Sequence, residues 1–332
     1  MRISVIVPVR NEEKTIGLLL EGLLKQSRRP EEIVITDGGS TDTSASIINN
    51  YIQAGAPVRL IRSGPALPGR ARNLAATMAT GDWLAFIDAG VQPECSWLES
   101  LAGAAASDGK VQVIYGSFRP ITDTLFKECA AMAYLPPPKE VDGAFIRPRS
   151  IASALMRREV WEAVGGFPED LRSAEDLLFM NKVEEAGYRT GQAPEAMVHW
   201  NLQPDMGSTF RRFVVYARNN LRAGLGRHWQ RPILKRYALL LLLALPIFVF
   251  GYWWLLITLM LWILMLSARG LVSIWRNRFY YPATAGRNLR RLLVLIPLIA
   301  VLDSAALVGS IQWLLSDRLG LAGGAVSVGH ET

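Results

Sequence analysis

Ile33-Val34-Ile35-Thr36-Asp37-Gly38-Gly39-Ser40 is the stretch on which the fold turns. Its β-branched run has the composition of a strand buried on both faces, and it ends abruptly in an acidic residue and a glycine turn. Upstream, Ile3-Ser4-Val5-Ile6-Val7-Pro8-Val9 repeats the pattern, and Ile16, Leu19, Leu20, Leu23 and Leu24 then recur at helical spacing. Downstream, Thr41 or Asp42 is placed to cap a helix that runs to about Gln53. Val58–Arg62 reads as a third strand, Arg70–Thr80 as a helix, and Trp83–Ile87 as a fourth strand broken by Asp88-Ala89-Gly90. This alternation predicts an α/β fold with an open, mostly parallel sheet and helices on both faces. Ligands of such sheets sit beyond the carboxyl ends of the strands, where Asp37 and Asp88 fall.

The next segment is less regular. Pro136-Pro137-Pro138 reads as a stiff extended loop, Ile151–Met156 as a strand, Gly165-Gly166-Phe167-Pro168 as a turn, and Leu177–Ala186 as a helix stopped by Gly187. The composition changes near Pro232. Phe210, Phe213, Val214, Ala217 and Leu221 share one helical face, with Arg211, Arg212, Arg218 and Arg222 off it, which is the pattern of a helix lying among lipid headgroups or, as the alternative, of an ordinary surface helix packed on the domain. Tyr237–Leu266 carries no charge over 30 residues. One helix of that length is about 45 Å long against a bilayer core of about 30 Å. The stretch 269–291 holds six arginines and no acidic residue, which places it in the cytosol. With basic residues also preceding Tyr237, two cytosolic ends require an even number of crossings. The expectation is a hairpin bent near Pro246–Gly251, re-entrant if its arms are short, with one tilted helix as the alternative. Leu292–Leu315 is a further span, and Asp303 inside it must face protein or water.

Of the 332 residues, 36 are basic and 29 acidic, for a net charge of +7. The excess flanks apolar segments, so membrane lipids rather than nucleic acid are the expected partner. The two cysteines, Cys95 and Cys129, fit no zinc spacing and suit a reducing compartment. The apolar opening is too short for a secretory signal, so the soluble part is expected to face the cytosol.

Val5-Ile6-Val7-Pro8-Val9-Arg10-Asn11-Glu12, Ile33 to Asp42, Arg70-Ala71-Arg72-Asn73, Gly81 to Asp88, and Gly165-Gly166-Phe167 followed by Glu175-Asp176 appear in an order that resembles family-2 inverting glycosyltransferases. The resemblance covers about residues 1–200. It implies the GT-A fold, a Rossmann-like α/β architecture, here followed by C-terminal α-helical transmembrane segments. On this reading 1–207 is a cytosolic GT-A catalytic domain, 208–234 an amphipathic interfacial helix and 235–332 a membrane region. That region divides into a hairpin at about 237–266, a basic loop at 269–291 and a span at about 292–315. The implied location is the inner (cytoplasmic) membrane, multi-pass, with the catalytic domain facing the cytosol.

The resemblance also implies site roles. Asp37 accepts from the ring nitrogen of a nucleotide base, with Pro8 and Glu12 lining that pocket; adding Arg10 rests on its position beside them. Arg70 and Arg72 are expected at the diphosphate, either of them alternatively a solvated helix residue. The family places Asp-x-Asp after the fourth strand to hold Mg²⁺ or Mn²⁺. Here Asp88-Ala89-Gly90 lacks the second carboxylate, which leaves Asp88 for the metal or the ribose and His199 as another candidate metal ligand. Asp176 matches the catalytic base that deprotonates the acceptor, and Glu175 orients it or touches the acceptor. Otherwise both carboxylates serve the start of the following helix. The implied reaction moves a single sugar from a UDP- or GDP-type donor to a lipid-linked or polysaccharide acceptor, in cell-envelope or exopolysaccharide synthesis. The alternatives are a polyprenyl-phosphate glycosyltransferase and a non-catalytic scaffold that binds a nucleotide sugar. A processive synthase is disfavoured because no Gln-x-x-Arg-Trp segment precedes the apolar tail.

Overall fold

The computed structural model describes residues 1–141 and 144–320, which divide into two compact units. The first comprises Met1–Pro120 and Lys139–Asn201 and is built on one sheet. Its elements are β1 (Ile3–Val9), α1 (Ile16–Leu24), β2 (Glu32–Asp37), α2 (Ser44–Gln53), β3 (Val58–Arg62), α3 (Pro68–Met78), β4 (Trp83–Phe86), β5 (Val91–Pro93), α4 (Trp97–Ser107) and β6 (Val113–Ile121). After an excursion through α5 (Leu125–Tyr134), the chain returns as the short ribbon β7 (Lys139–Val141) and β8 (Ala144–Ile146). It continues with β9 (Ala154–Arg157), α6 (Arg158–Ala163), α7 (Glu175–Glu185) and β10 (Thr190–Asn201).

The strand order is β3-β2-β1-β4-β9-β6-β10-β5. Strands β1 to β4 pair in parallel, as the alternation requires. From β4 onward the β4–β9, β9–β6 and β10–β5 pairs are antiparallel, so the sheet is mixed. Both faces of β1 are buried, which explains why the strand is apolar on both faces, apart from Ser4, rather than alternating. Ile3, Val5 and Val7 pack with Leu19, Leu23 and Trp97 on one side, while Ile6 packs with Val34, Phe86 and Phe179 on the other. The parallel register carries Asp37 to the end of β2 and Asp88 just past β4, on the same edge of the sheet.

The second unit comprises Ile121–Pro138 and the chain from Leu202. It contains α5, α8 (Met206–Arg222), α9 (Gly226–Ala244), α10 (Ile247–Phe250), α11 (Trp253–Arg276) and α12 (Ala285–Gln312), which runs on as a π-helical turn, Trp313–Arg318. Three helices among the described residues, Gly226–Phe250, Trp253–Arg276 and Ala285–Arg318, are long and apolar enough to cross a membrane. The chain breaks at Pro246–Tyr252, inside the bend expected for a hairpin, and Phe248 at the break is 88% exposed.

Three expectations about this region change. Residues 208–234 are not one interfacial helix: α8 stops at Arg222 and α9 begins at Gly226. The α8 face expected among headgroups instead packs on α12, where a Cβ on Gly309 would come within 2.4 Å of the Val214 carbonyl oxygen; small residues at Ala217 and Gly309 allow the close approach. The basic stretch 269–291 is mostly helical, because α11 runs to Arg276 and α12 starts at Ala285, leaving a connection of only 277–284. The last part of the expected membrane region, 321–332, lies outside the described residues.

Candidate active site

Arg72 is the centre of the site. It sits on α3, is 4% exposed, and is the only guanidinium among the described residues that bridges the strand-end and α7 carboxylates. Its Nη1 donates to Glu175 Oε1 at 2.7 Å and its Nη2 donates to Asp88 Oδ1 at 2.7 Å. Its guanidinium also lies 5.4 Å from the centre of the Phe167 ring. Both of its terminal nitrogens are thus engaged by carboxylates. Arg70, two residues earlier on the same helix, is exposed.

A second set of contacts explains why the Arg-Ala-Arg-Asn and Gly-Gly-Phe motifs occur together. The Asn73 amide nitrogen donates to the Phe167 carbonyl and to Glu169 Oε1, both at 2.9 Å, while its oxygen accepts from Phe167 N–H at 2.9 Å and Trp161 Nε1–H at 3.2 Å. One side chain thus saturates the turn that leads into α7. The turn passes so close to α3 that a Cβ on Gly69 would lie 1.9 Å from the Pro168 carbonyl oxygen. Gly166, at φ +67°, would place a Cβ 2.6 Å from Asn73 Oδ1. Only glycine fits at either position, and the contact is what brings α3 and the start of α7 together. Asn73 belongs to the Arg70–Asn73 motif, yet nothing in a single sequence shows which turn it holds.

Glu175 and Asp176 are the first two residues of α7, preceded by Ala174 in the left-handed region at φ +70°. Neither is an N-cap. Glu175 is 4% exposed and spends one oxygen on Arg72. Asp176 is half-buried and accepts from Leu177 N–H at 2.8 Å. Burial pushes both carboxyls above their ordinary values. Arg72 opposes this for both; Asp176 raises Glu175 further, and Asp88 raises Asp176. The same carboxylates hold the Arg72 guanidinium above its usual range despite its burial. A carboxyl with raised proton affinity beside a fixed cation is suited to taking a proton near neutrality.

Asp37 is buried at the end of β2 and accepts from Ser40 N–H at 2.8 Å, which fixes the turn. Beyond β1, Arg10 is half-buried with its Nη1 buried and lacking a hydrogen-bond partner. The Glu12 backbone N–H donates to Ser44 Oγ at 2.7 Å. The Glu12 carboxylate lies 3.9 Å from where a Cβ on Gly90 would be. The place in Asp88-Ala89-Gly90 where a second aspartate would begin is therefore already faced by an acid, and two carboxylates there would repel each other.

The residues present do not make a conventional divalent-metal site. Asp88 gives one oxygen to Arg72, His199 Nε2 lies 3.0 Å from Glu94 Oε1, and no group of three potential metal-ligating side chains exists among the described residues.

The parallel β3-β2-β1-β4 half, its antiparallel continuation and the acid-lined strand ends define a GT-A fold. Solved structures with that architecture include residues 1–349 of Staphylococcus aureus TarS in complex with UDP, at TM-score 0.52 and 21% identity, covering 96% of this chain and 92% of that one. A second is the mannosyltransferase PcManGT of Pyrobaculum calidifontis in complex with GDP-Man and Mn²⁺, at TM-score 0.55 and 21% identity, covering 96% and 88%. The chain is similar to glycosyl transferase family 2: the model of that description matches residues 4–164, and the model of glycosyl transferase family group 2 matches 150–275. Among curated relatives, the S. aureus poly(ribitol-phosphate) β-N-acetylglucosaminyltransferase TarS is 32% identical over 194 residues, 55% of this chain. The uncharacterized glycosyltransferase EpsJ of Bacillus subtilis is 26% identical over 219 residues, 61% of this chain. The match spans 32% of the TarS relative's length and 62% of EpsJ's.

Proposed function

We propose that this protein is a membrane-associated inverting glycosyltransferase that moves a single sugar from a nucleotide-diphosphate donor to a lipid-linked or polysaccharide acceptor of the cell envelope. The observation that carries this reading is the Arg72 bridge, which ties the strand-end acid Asp88 to the Glu175-Asp176 pair from about 100 residues away along the chain. Relatives named for transfer to poly(ribitol-phosphate), and neighbours holding UDP or GDP-Man, support a nucleotide-sugar donor and an envelope acceptor.

In this mechanism Asp37 accepts from the nucleobase, Pro8 and Glu12 line its pocket, and Arg10 contributes its unpartnered nitrogen. Asp88 holds the ribose side of the donor. The acceptor hydroxyl attacks the anomeric carbon from the face opposite the diphosphate. Asp176 takes the hydroxyl proton as the new C–O bond forms, and the bond to the phosphate oxygen breaks with its electron pair leaving on the nucleoside diphosphate. Glu175, anchored by Arg72, positions Asp176. Arg70, exposed on α3, is placed to neutralise charge on the departing phosphate. The apolar helices anchor the chain in the cytoplasmic membrane, and Arg276, Arg278, Arg287 and Arg290 favour a cytosolic α11–α12 connection.

The test is to incubate purified full-length protein with UDP- and GDP-sugars and a membrane lipid extract. The expected result is nucleoside diphosphate release with sugar appearing on one acceptor fraction at inverted anomeric configuration. Absence of release from every donor, or a retained configuration, would overturn the proposal.

A further inference from the structure

In the helical unit one buried acid meets two arginines. Asp303 on α12 is 1% exposed and takes a bidentate pair from Arg269 on α11, with Nη2 to Oδ1 at 3.0 Å and Nη1 to Oδ2. Tyr237 on α9 donates to the same carboxylate at 3.2 Å, and Trp262 Nε1 donates to the Tyr237 hydroxyl at 3.3 Å. With those bonds made, Asp303 is nearly saturated. Arg236 is held only loosely, its Nη2 3.9 Å from Asp303 Oδ1, and its Nε is buried with no hydrogen-bond partner. Two guanidinium groups against one carboxylate leave one positive charge uncompensated, and a buried donor without an acceptor is costly.

An apolar groove of about 430 Å³ starts at the same place. It runs between α9 and α11 from Tyr237 and Trp262 past Leu240 and Leu259 to Ala244 and Leu255. Seven residues of helix make it about 10 Å long. The apolar arm from Tyr237 to Phe250 is about 21 Å, less than a bilayer core of about 30 Å. An arm of that length carries the hairpin tip into the hydrocarbon while Arg236 stays at headgroup level, beside an aromatic pair of the kind found at that depth.

We propose that α9, α11 and α12 form a binding site for one anionic phospholipid, whose phosphodiester accepts from Arg236 and whose acyl tail fills the groove. The single excess positive charge matches the single negative charge of a phosphodiester, and the groove is lined by apolar side chains that suit a lipid tail. The site does not depend on the transfer reaction, but it does depend on α9 and α11 entering a bilayer. Flotation with phosphatidylcholine vesicles tests that dependence separately, and protein that fails to float overturns both.

The direct test mixes full-length protein with vesicles of phosphatidylcholine, with or without phosphatidylglycerol, extracts it in mild detergent and counts co-purifying lipids by native mass spectrometry. One phosphatidylglycerol should be retained, with a preference of about fivefold or more over phosphatidylcholine. Arg236→Gln should abolish the preference, and Leu259→Trp, which fills the groove without touching the charge, should also lose the lipid. Arg276→Gln, at the exposed end of α11, should keep it. Retention by Arg236→Gln overturns the site, as does equal loss in Arg276→Gln, which would indicate diffuse attraction. A third arm containing a long-chain isoprenyl monophosphate overturns it if that lipid is kept in place of phosphatidylglycerol. If Arg236→Gln unfolds, the Leu259→Trp result decides.

Discussion

Arg72 Nη1 and Glu175 Oε1 lie 2.7 Å apart, and both side chains are almost wholly excluded from solvent. Replacing Arg72 with Met should cost about 3–5 kcal/mol of stability, because Glu175 is left buried without its cation. Urea denaturation measures this. Adding Glu175→Gln should restore part of the loss, since the double change removes the stranded charge. A single mutant as stable as the wild type would mean that the bridge contributes nothing to the fold.

Asp176→Asn should reduce kcat by about 10²–10⁴ while leaving donor affinity, measured by calorimetry, unchanged. The amide keeps the size and the Leu177 contact but cannot accept a proton. Transfer at the wild-type rate would remove Asp176 from the mechanism.

The pH dependence has a definite sign. In the proposed mechanism Asp176 must be ionised to act, and burial lifts its proton affinity, so the acidic limb of kcat/KM should lie above the ordinary aspartate value of 3.8. Asp88→Asn removes a negative neighbour that raises Asp176, and should move that limb to lower pH. Stability follows from the same shifts. Glu175 and Asp176 bind protons more tightly folded than unfolded, so their contribution is fully present below their ordinary values of 4.5 and 3.8. It is lost as pH rises through the raised folded values. Thermal melts of the wild type and of Glu175→Gln across this window should diverge in that direction.

Gly69→Ala should destabilise by about 1–3 kcal/mol or more, since its Cβ would overlap the Pro168 carbonyl and force α3 from the turn before α7. Activity should fall more than stability does, because Arg72 and Glu175 sit on the two elements pushed apart. Equal loss of both would indicate a purely structural effect.

Asp37→Ala should weaken nucleotide binding by about tenfold to a hundredfold, the worth of a hydrogen bond to a charged group. Calorimetry with the nucleoside diphosphate alone reads this directly.

The parallel half of the fold was legible because β1 and β2 are short, β-branched and mostly apolar runs that end in polar turns, a signal carried within each segment. The antiparallel continuation was not: Ala154–Arg157 pairs with both Trp83–Phe86 and Val113–Tyr115, and nothing local encodes those partners. The residue types of the site were legible from the motifs, but the partner of Arg72 was not, since 103 residues separate it from Glu175. Ile121–Pro138 was expected in the catalytic domain, yet it belongs to the helical unit, where Glu128 on α5 pairs with Arg287 and Arg291 on α12. That pairing of distant opposite charges leaves no periodic trace. The true lengths of α9 and α11 were hidden because their basic ends break the hydropathy run without breaking the helix.

Ala174 holds a left-handed backbone that alanine adopts at a cost of order 1 kcal/mol, one residue before the acid pair. Glycine would relieve that tension, and a single nucleotide change converts an alanine codon to a glycine codon. Position 174 is thus a dial within easy mutational reach: descendants of this sequence can loosen or stiffen the approach to the Glu175-Asp176 pair at the start of α7 without altering either carboxylate.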